Sequence, residues 1–167
     1  MSEIQNLQGV SAAEKIKELA EKADVCLFGT DLGHTPVKVR PMSTRQVDPH
    51  GNIYFFSRKT SDKNKEIDSN SAVQLFYSNN TDYEYLNVYG KAEIFTDKAL
   101  AKELWTTIAK TWFNEGYEDP ELTIIRVKPV DAYYWDSKDG KLVSLLKFAA
   151  GAITGKEFET GIEGQIK

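Results

Sequence analysis

Two runs joined by a short polar loop decide the fold: Ala72-Val73-Gln74-Leu75-Phe76-Tyr77-Ser78, then Asn79-Asn80-Thr81-Asp82, then Tyr85 to Phe95. Both runs are rich in β-branched and aromatic residues, and the second alternates between apolar and polar positions, which is typical of a strand with one buried face. Gly90, inside the second run, indicates a bulge or bend. Because a loop this short suits antiparallel neighbours, the sequence predicts an antiparallel β protein.

Further strands are predicted on both sides of this pair. They are Val25–Thr30, a segment from Val37 onward, Asn52–Ser57, Leu122–Val127, Ala132–Trp135 and Lys141–Phe148, with a hairpin turn at Asp139-Gly140. Asp31–Pro36 and Asp48–Gly51 supply turn residues between them.

Helices interrupt the strands without alternating regularly with them. The first is predicted over Ser11–Ala23, opened by the capping-box pattern Ser11-Ala12-Ala13-Glu14. A second begins at Thr96-Asp97-Lys98 and ends at Asn114-Glu115-Gly116; its apolar face would carry Leu100, Ala101, Leu104, Trp105, Ile108 and Trp112. A short helical stretch is expected around Asn64–Ile67, and residues 151–167 are expected to form an irregular C-terminal arm.

These elements favour a mainly β fold with inserted helices (α+β), a six- to seven-stranded antiparallel split β-barrel. Short connections argue against a parallel βαβ sheet, and barrel closure removes exposed strand edges. The 167 residues suit a single domain, 1–167.

Composition excludes several classes of function. The net charge of −4 argues against a general nucleic-acid binder, which needs a broad basic face. Met1–Gly9 lacks the pattern of a secretory signal, and no apolar run is long enough to cross a bilayer. The single Cys26 favours a reducing compartment, so a cytoplasmic location is expected. His34, His50 and Cys26 offer no metal-ligand spacing.

A local basic segment stands out in this acidic chain. Ser57 to Lys65 holds four basic residues and three hydroxyls directly after a strand and at the start of a short helix. Free amides, hydroxyls and an ammonium group are able to converge on one phosphate. A solvated loop whose charges serve solubility is the alternative interpretation.

A second segment, Val37 to Thr44, places Lys38, Arg40 and Met42 on one face of a strand. Pro41 donates no ladder hydrogen bond, which is unusual in a central strand. Arg40 beside Met42 suits a ligand with an anionic end and a flat apolar end, or else an ordinary surface. Trp105 and Trp112 are core aromatics or line a flat ligand.

The order of these segments resembles the general stress protein branch of the pyridoxamine 5'-phosphate oxidase-like, FMN-binding split-barrel superfamily. The resemblance runs from the first helix to about Gly155. The matching stretches are Arg40–Ser43, Ile53–Ser57, Ser61–Lys63, Tyr89–Ala92, Trp112–Pro120, Ile125–Pro129 and Tyr134–Asp136.

The resemblance implies that FMN lies between two subunits of a homodimer. Arg40 and Lys63 would then pair with the phosphate, while Ser57 and Ser61 would bind the phosphate or the ribityl chain. Met42 and the backbone around Phe56 would border the isoalloxazine ring, and Trp112 would approach it from the partner subunit. Pro41 and Ser43 belong to the same cofactor-binding strand.

Departures from the true oxidase argue against oxidation of pyridoxamine phosphate. Glu84-Tyr85-Leu86 stands where the oxidase has Arg-Gln-Val, and a glycine-rich arm replaces its arginine motif. The resemblance therefore implies a flavin-dependent oxidoreductase or flavin reductase, with NAD(P)H or another small molecule as reaction partner and no catalytic side chain identified. A non-catalytic flavin carrier, buffer or sensor in the stress response is the alternative, and a deazaflavin or haem ligand a further one.

Overall fold

The computed structural model describes residues 2–137 and 161–167, which are organised around one nine-stranded sheet. The strands are β1 (Ser2–Ile4), β2 (Val25–Thr30), β3 (Lys38–Ser43), β4 (Gln46–Val47), β5 (Ile53–Arg58), β6 (Ala72–Asn79), β7 (Glu84–Phe95), β8 (Leu122–Ser137) and β9 (Gly161–Ile166). The helices are α1 (Gly9–Ala23), α2 (Asp62–Ser69) and α3 (Lys98–Glu103), followed by 3₁₀ turns at Thr107–Thr111 and Gly116–Glu118.

The strands run in the order β1-β9-β8-β7-β6-β2-β3, and β5 pairs with both β4 and β8. Every pairing between these strands is antiparallel except β1 with β9. The first half of β8 carries β5 on its free side, whereas its second half carries β9. This change of partner along one strand splits the sheet. The predicted mainly β fold with inserted helices is confirmed, with short strands β1, β4 and β9 added.

Strand β8 is one element of 16 residues, not the two short strands that were predicted. The pairing with β7 continues past Pro129 because the register shifts between Tyr89 and Gly90. Pro129 lies opposite Gly90. A Cβ on Gly90 would lie 2.7 Å from the carbonyl oxygen of Lys128, so the strands approach this closely only at a glycine. The predicted bulge at Gly90 is confirmed.

The prediction of one continuous second helix is wrong. Helix α3 ends at Glu103, and Thr106 has extended backbone angles of φ −130° and ψ 152°. The run Thr106-Thr107-Ile108 is β-branched and favours helix poorly. Ile108 and Trp112, expected on the apolar face, are 62% and 52% exposed.

The start of α1 and the end of the chain also differ from expectation. Helix α1 begins at Gly9, and the Ser11 hydroxyl donates to the Gln8 carbonyl (2.9 Å), so the predicted capping box is wrong. The arm expected to be irregular ends in strand β9, which lies between β1 and β8. Residues Lys141–Phe148 and the Asp139-Gly140 turn lie outside the described residues.

The core lies between α1 and one face of the sheet. Phe28 and Phe55 are fully buried and meet edge to face with their ring centroids 5.2 Å apart. A smaller cluster of Ala101, Phe113, Leu122 and Ile124 packs beneath the chain that follows α3. None of the described helices has both the length and the apolar character needed to cross a membrane.

Candidate functional site

A cleft of about 470 Å³ opens between β3, the end of β5, the start of α2 and the 3₁₀ turn at Thr107–Thr111. All of the site residues that the sequence predicts line this cleft: Arg40, Pro41, Met42, Ser43, Phe56, Ser57, Ser61, Lys63 and Trp112. The fold therefore brings together two segments that were ambiguous when taken separately. Strand β3 ends the sheet order, so Pro41 needs no partner on that side.

Five further residues line the cleft and were not among the predicted site residues: Val25, Arg45, Arg58, Ala109 and Phe113. Arg58 belongs to the basic segment already recognised, and Phe113 adjoins Trp112. Arg45 was harder to identify from the sequence, because it lies after the end of strand β3 and belongs to no recognisable motif.

A buried ring of hydrogen bonds fixes the hydroxyl groups of the cleft. The Ser57 hydroxyl donates to the Asn64 side-chain oxygen (2.6 Å) and lies 3.2 Å from the Ser61 hydroxyl. The Asn64 amide donates to the Thr123 hydroxyl (3.0 Å), which donates to the backbone carbonyl of Ser57 (2.9 Å). The ring joins β5, α2 and β8, and thereby holds the start of α2 against the cleft. Asn64 and Thr123 were missed because their role depends on this packing.

Arg40 is already engaged on one side. Its guanidinium donates to the Glu66 carboxylate (2.7 Å) and to the hydroxyl of Thr30. The Lys38 ammonium lies 3.0 Å from the same carboxylate. Burial alone would raise the pKa of Glu66. Hydrogen bonds from Thr30, Lys38 and Arg40 instead hold this pKa below its ordinary value. Glu66 therefore anchors Arg40 beside the cleft and offsets part of its charge.

Lys63 has no such anchor. Among the described residues it makes no hydrogen bond or ion pair, and its side chain is partly buried in the cleft wall. Burial lowers the pKa of Lys63 below its ordinary value and the nearby Arg40 lowers it further, while the nearby Glu66 offsets only part of this shift. The Lys63 ammonium is therefore a partly desolvated cation that an anionic ligand would stabilise.

Two arginines of the cleft form hydrogen bonds with the segment that follows α3. Arg58 donates to the backbone carbonyl of Trp112 (2.6 Å) and lies 6.0 Å from the ring centre of Phe113. Arg45 donates to the hydroxyl of Thr106 (2.7 Å). These bonds hold Trp112 at the rim of the cleft although the helix predicted there does not form.

Apolar and aromatic side chains form the other wall. Phe56 lies 6.0 Å from Trp105 and 6.3 Å from Phe113 between ring centres, and Met42 packs beside the main core. A wall of this kind next to cations and hydroxyls suits a flat ligand that carries an anionic group.

The family model described as "Pyridoxamine 5'-phosphate oxidase like" matches residues 11–159 of the chain. The chain belongs to this family, which confirms the resemblance read from the sequence. Protein bli-3 of Neurospora crassa is 30% identical over 112 residues, which make up 62% of this chain and 54% of that protein. General stress protein 26 of Bacillus subtilis is 29% identical over 96 residues, 56% of this chain and 68% of that protein. The match thus spans only about half the length of the fungal relative.

Solved structures agree with the fold. A protein proposed to be general stress protein 26 from Jannaschia sp. CCS1 aligns with a TM-score of 0.79 at 21% identity, covering 95% of this chain and 99% of that one. The general stress FMN/FAD binding protein of Xanthomonas citri aligns with a TM-score of 0.62 at 25% identity, covering 75% and 87% of the two chains.

Proposed function

We propose that this protein binds FMN in the cleft and acts as a flavin-dependent oxidoreductase or flavin reductase. The observation that carries the proposal is Lys63: a partly buried cation that forms no ion pair among the described residues, beside fixed hydroxyls and opposite an aromatic wall. The similarity to an FMN/FAD binding protein supports the choice of a flavin.

The anionic end of the cleft suits a phosphate group. Lys63 would pair with it directly, and Ser61 would donate a hydrogen bond from the start of α2. Arg40 would contribute its remaining donors while Glu66 keeps its guanidinium in place. A phosphate dianion would also favour the charged form of Lys63, which burial disfavours.

The apolar end suits an isoalloxazine ring. Met42 and Phe56 would border the ring, and Trp112, 52% exposed at the rim, would cover it from this subunit or from a partner. When bound, the flavin supplies hydride and electron transfer, while the protein supplies binding and orientation. Pyridoxamine phosphate is not proposed as a substrate.

We further propose that a second copy of the chain closes the cleft. Leu27 on β2 lies opposite both Pro41 on β3 and Phe76 on β6, so the three side chains share one face of the sheet. Leu27 and Phe76 are 52% and 45% exposed, which is unusual for large apolar side chains in adjacent positions. Because Val25 and Pro41 also line the cleft, a homodimer formed on this face would border the flavin.

A titration of the purified protein tests the binding proposal. FMN and riboflavin, which differ by the phosphate, would be titrated separately with flavin fluorescence as the readout. We expect FMN to bind at least about tenfold more tightly, since the phosphate makes charge-assisted hydrogen bonds. Equal affinity for the two flavins, or no binding of FMN, would contradict the proposed site. Absorption spectra would distinguish a deazaflavin or haem ligand.

Turnover is tested separately with the FMN-loaded protein under anaerobic conditions. We expect NADH or NADPH to reduce bound FMN faster than it reduces free FMN. Bound FMN reduced no faster than free FMN by either donor would favour a flavin carrier, buffer or sensor. We propose a cytoplasmic location, in keeping with the free, buried Cys26.

A further inference from the structure

A second cavity, of about 700 Å³, shares no lining residue with the cleft. It lies between the first turns of α1, the turn at His50, the bulged part of the β7–β8 ladder and the end of β9. It contains none of the residues proposed to bind the flavin.

The lining of the second cavity is locally basic. It carries Lys91, Arg126, Lys128 and Lys167 against only two carboxylates, Glu93 and Asp131. These four cations come from three separate parts of the chain, so no single stretch of sequence reveals them. This local excess of basic over acidic residues contrasts with the net charge of −4 on the whole chain.

Two successive pairs on one face of the β7–β8 ladder differ in their charges. Glu93 lies opposite Arg126, and the two form an ion pair of 2.5 Å. Lys91 lies directly opposite Lys128, which places two like charges side by side on adjacent strands. Like charges in this position destabilise a sheet, whereas opposite charges stabilise it.

Nearby carboxylates do not compensate these lysines. Glu93 is committed to Arg126, and Asp131 accepts a hydrogen bond from the Gln165 side chain (2.8 Å). Among residues 2–137 and 161–167, Lys91 and Lys128 make no ion pair with any carboxylate.

Apart from His50 and Asn52, the rest of the lining is apolar or small. Ala12, Ala13 and Ile16 of α1 form one wall, and Pro129 and Ala132 of β8 form the other. We propose that the second cavity binds a small organic phosphate monoester, with its dianion between Lys91 and Lys128 and its apolar body against α1. A phosphate monoester carries close to two negative charges at pH 7, which matches the two unpaired ammonium groups.

Phenyl phosphate is a suitable probe, with inorganic phosphate and phenol as its two halves. The FMN-saturated protein, labelled with ¹⁵N, would be titrated while amide shifts are followed by NMR. We expect phenyl phosphate to shift the amides of Lys91, Lys128 and Ala13 and to bind more tightly than either half. The double variant Lys91→Gln/Lys128→Gln should bind about tenfold or more weakly.

Two control variants make the result decisive. Lys17→Gln removes an exposed lysine of α1 outside the second cavity and should leave binding unchanged. Lys63→Ala alters the flavin cleft and should also leave it unchanged, so failure of the flavin proposal would not affect this test. Binding that is lost in Lys63→Ala, or kept in the double variant, would overturn the proposal.

Thermal unfolding, measured with FMN in excess, provides an independent readout. If the two ammonium groups repel each other, Lys128→Gln should raise the midpoint of thermal unfolding, and phenyl phosphate should raise the midpoint less in this variant than in the unaltered protein. A lower midpoint in Lys128→Gln, or an equal response of both proteins to phenyl phosphate, would contradict the proposed placement of the dianion.

Discussion

Lys63 and Lys65 lie two positions apart in the first half of α2, yet their surroundings differ. Lys63 lines the cleft and forms no ion pair among the described residues. Lys65 is exposed and pairs with Asp62 at 3.1 Å. The contrast offers a matched pair of substitutions that remove the same charge from the same helix.

Replacement of Lys63 by Ala should weaken FMN binding by about 1.5–3 kcal/mol, the range for a hydrogen bond to a charged group. Lys65→Ala should leave it unchanged, because Lys65 does not line the cleft. Isothermal titration calorimetry of both variants with FMN and riboflavin measures the difference. Equal losses in the two variants, or a loss for riboflavin as large as for FMN, would place the phosphate elsewhere.

The buried Cys26 thiol makes the stability of the protein depend on pH in the alkaline range. Burial raises the pKa of the Cys26 thiol from 9.0 to about 12, and burial also raises that of the neighbouring Tyr77 phenol. The unfolded chain therefore releases these protons before the folded protein does. The protonated thiol and phenol make their full contribution to the free energy of unfolding below about pH 9. This contribution is lost as pH rises toward the pKa values of the two groups in the folded protein.

The free energy of unfolding should accordingly fall above pH 9, by at most about 1.4 kcal/mol per pH unit for each group. Urea denaturation between pH 8 and pH 11 measures the slope. Cys26→Ala should reduce the slope even though its stability at neutral pH is lower. An unchanged slope in this variant would mean that the thiol does not contribute.

The β7–β8 ladder joins the two halves of the split sheet, and its continuity depends on Gly90. The register shift at Gly90 lets β8 continue through Pro129, so the same strand pairs with β5 at one end and β9 at the other. A side chain at this position would meet backbone at 2.7 Å and Val127 at 2.8 Å, which real Cβ atoms do not tolerate without movement.

Gly90→Ala should therefore destabilise the protein by about 1–3 kcal/mol through overpacking. Gly33 provides the matched control, since a Cβ there would have no atom within 4 Å. Gly33→Ala should change stability little. Chemical denaturation of both variants checks the prediction, which fails if the two substitutions have equal effects.

The whole molecule leaves an apolar face uncovered beside the cleft. The face centres on Leu27 with Val39, Pro41 and Phe76 around it on β2, β3 and β6. Burial of an exposed apolar face of this kind favours association of identical chains. The proposed homodimer would therefore form through the sheet and not through the helices.

Leu27→Asp should shift the protein from dimer to monomer, because a carboxylate would be buried at the interface. Val10→Asp provides a control, since Val10 is 72% exposed on α1, away from this face. Light scattering after size-exclusion chromatography measures the mass of each variant. The prediction is wrong if Leu27→Asp stays dimeric or if the unaltered protein is monomeric at the same concentration.

The sequence by itself determined the features that depend on neighbouring residues. Runs of apolar and aromatic residues located strands β2, β5 and β6, alternation located β7, and Gly90 marked the bulge in β7 before any partner was known. The clustering of Ser57, Ser61 and Lys63 marked one wall of the cleft, because hydroxyls and a cation at a helix start are a local pattern.

Only the tertiary structure decided the features that depend on distant partners. Periodicity cannot show that Arg45 and Arg58 hold the segment after α3 in a non-helical path, or that Gly161–Ile166 pairs with β8. It cannot show that Glu66 binds Arg40 or that Lys91 faces Lys128. The physical reason is that a strand's pattern specifies which face is buried, whereas the register between strands decides which charges meet.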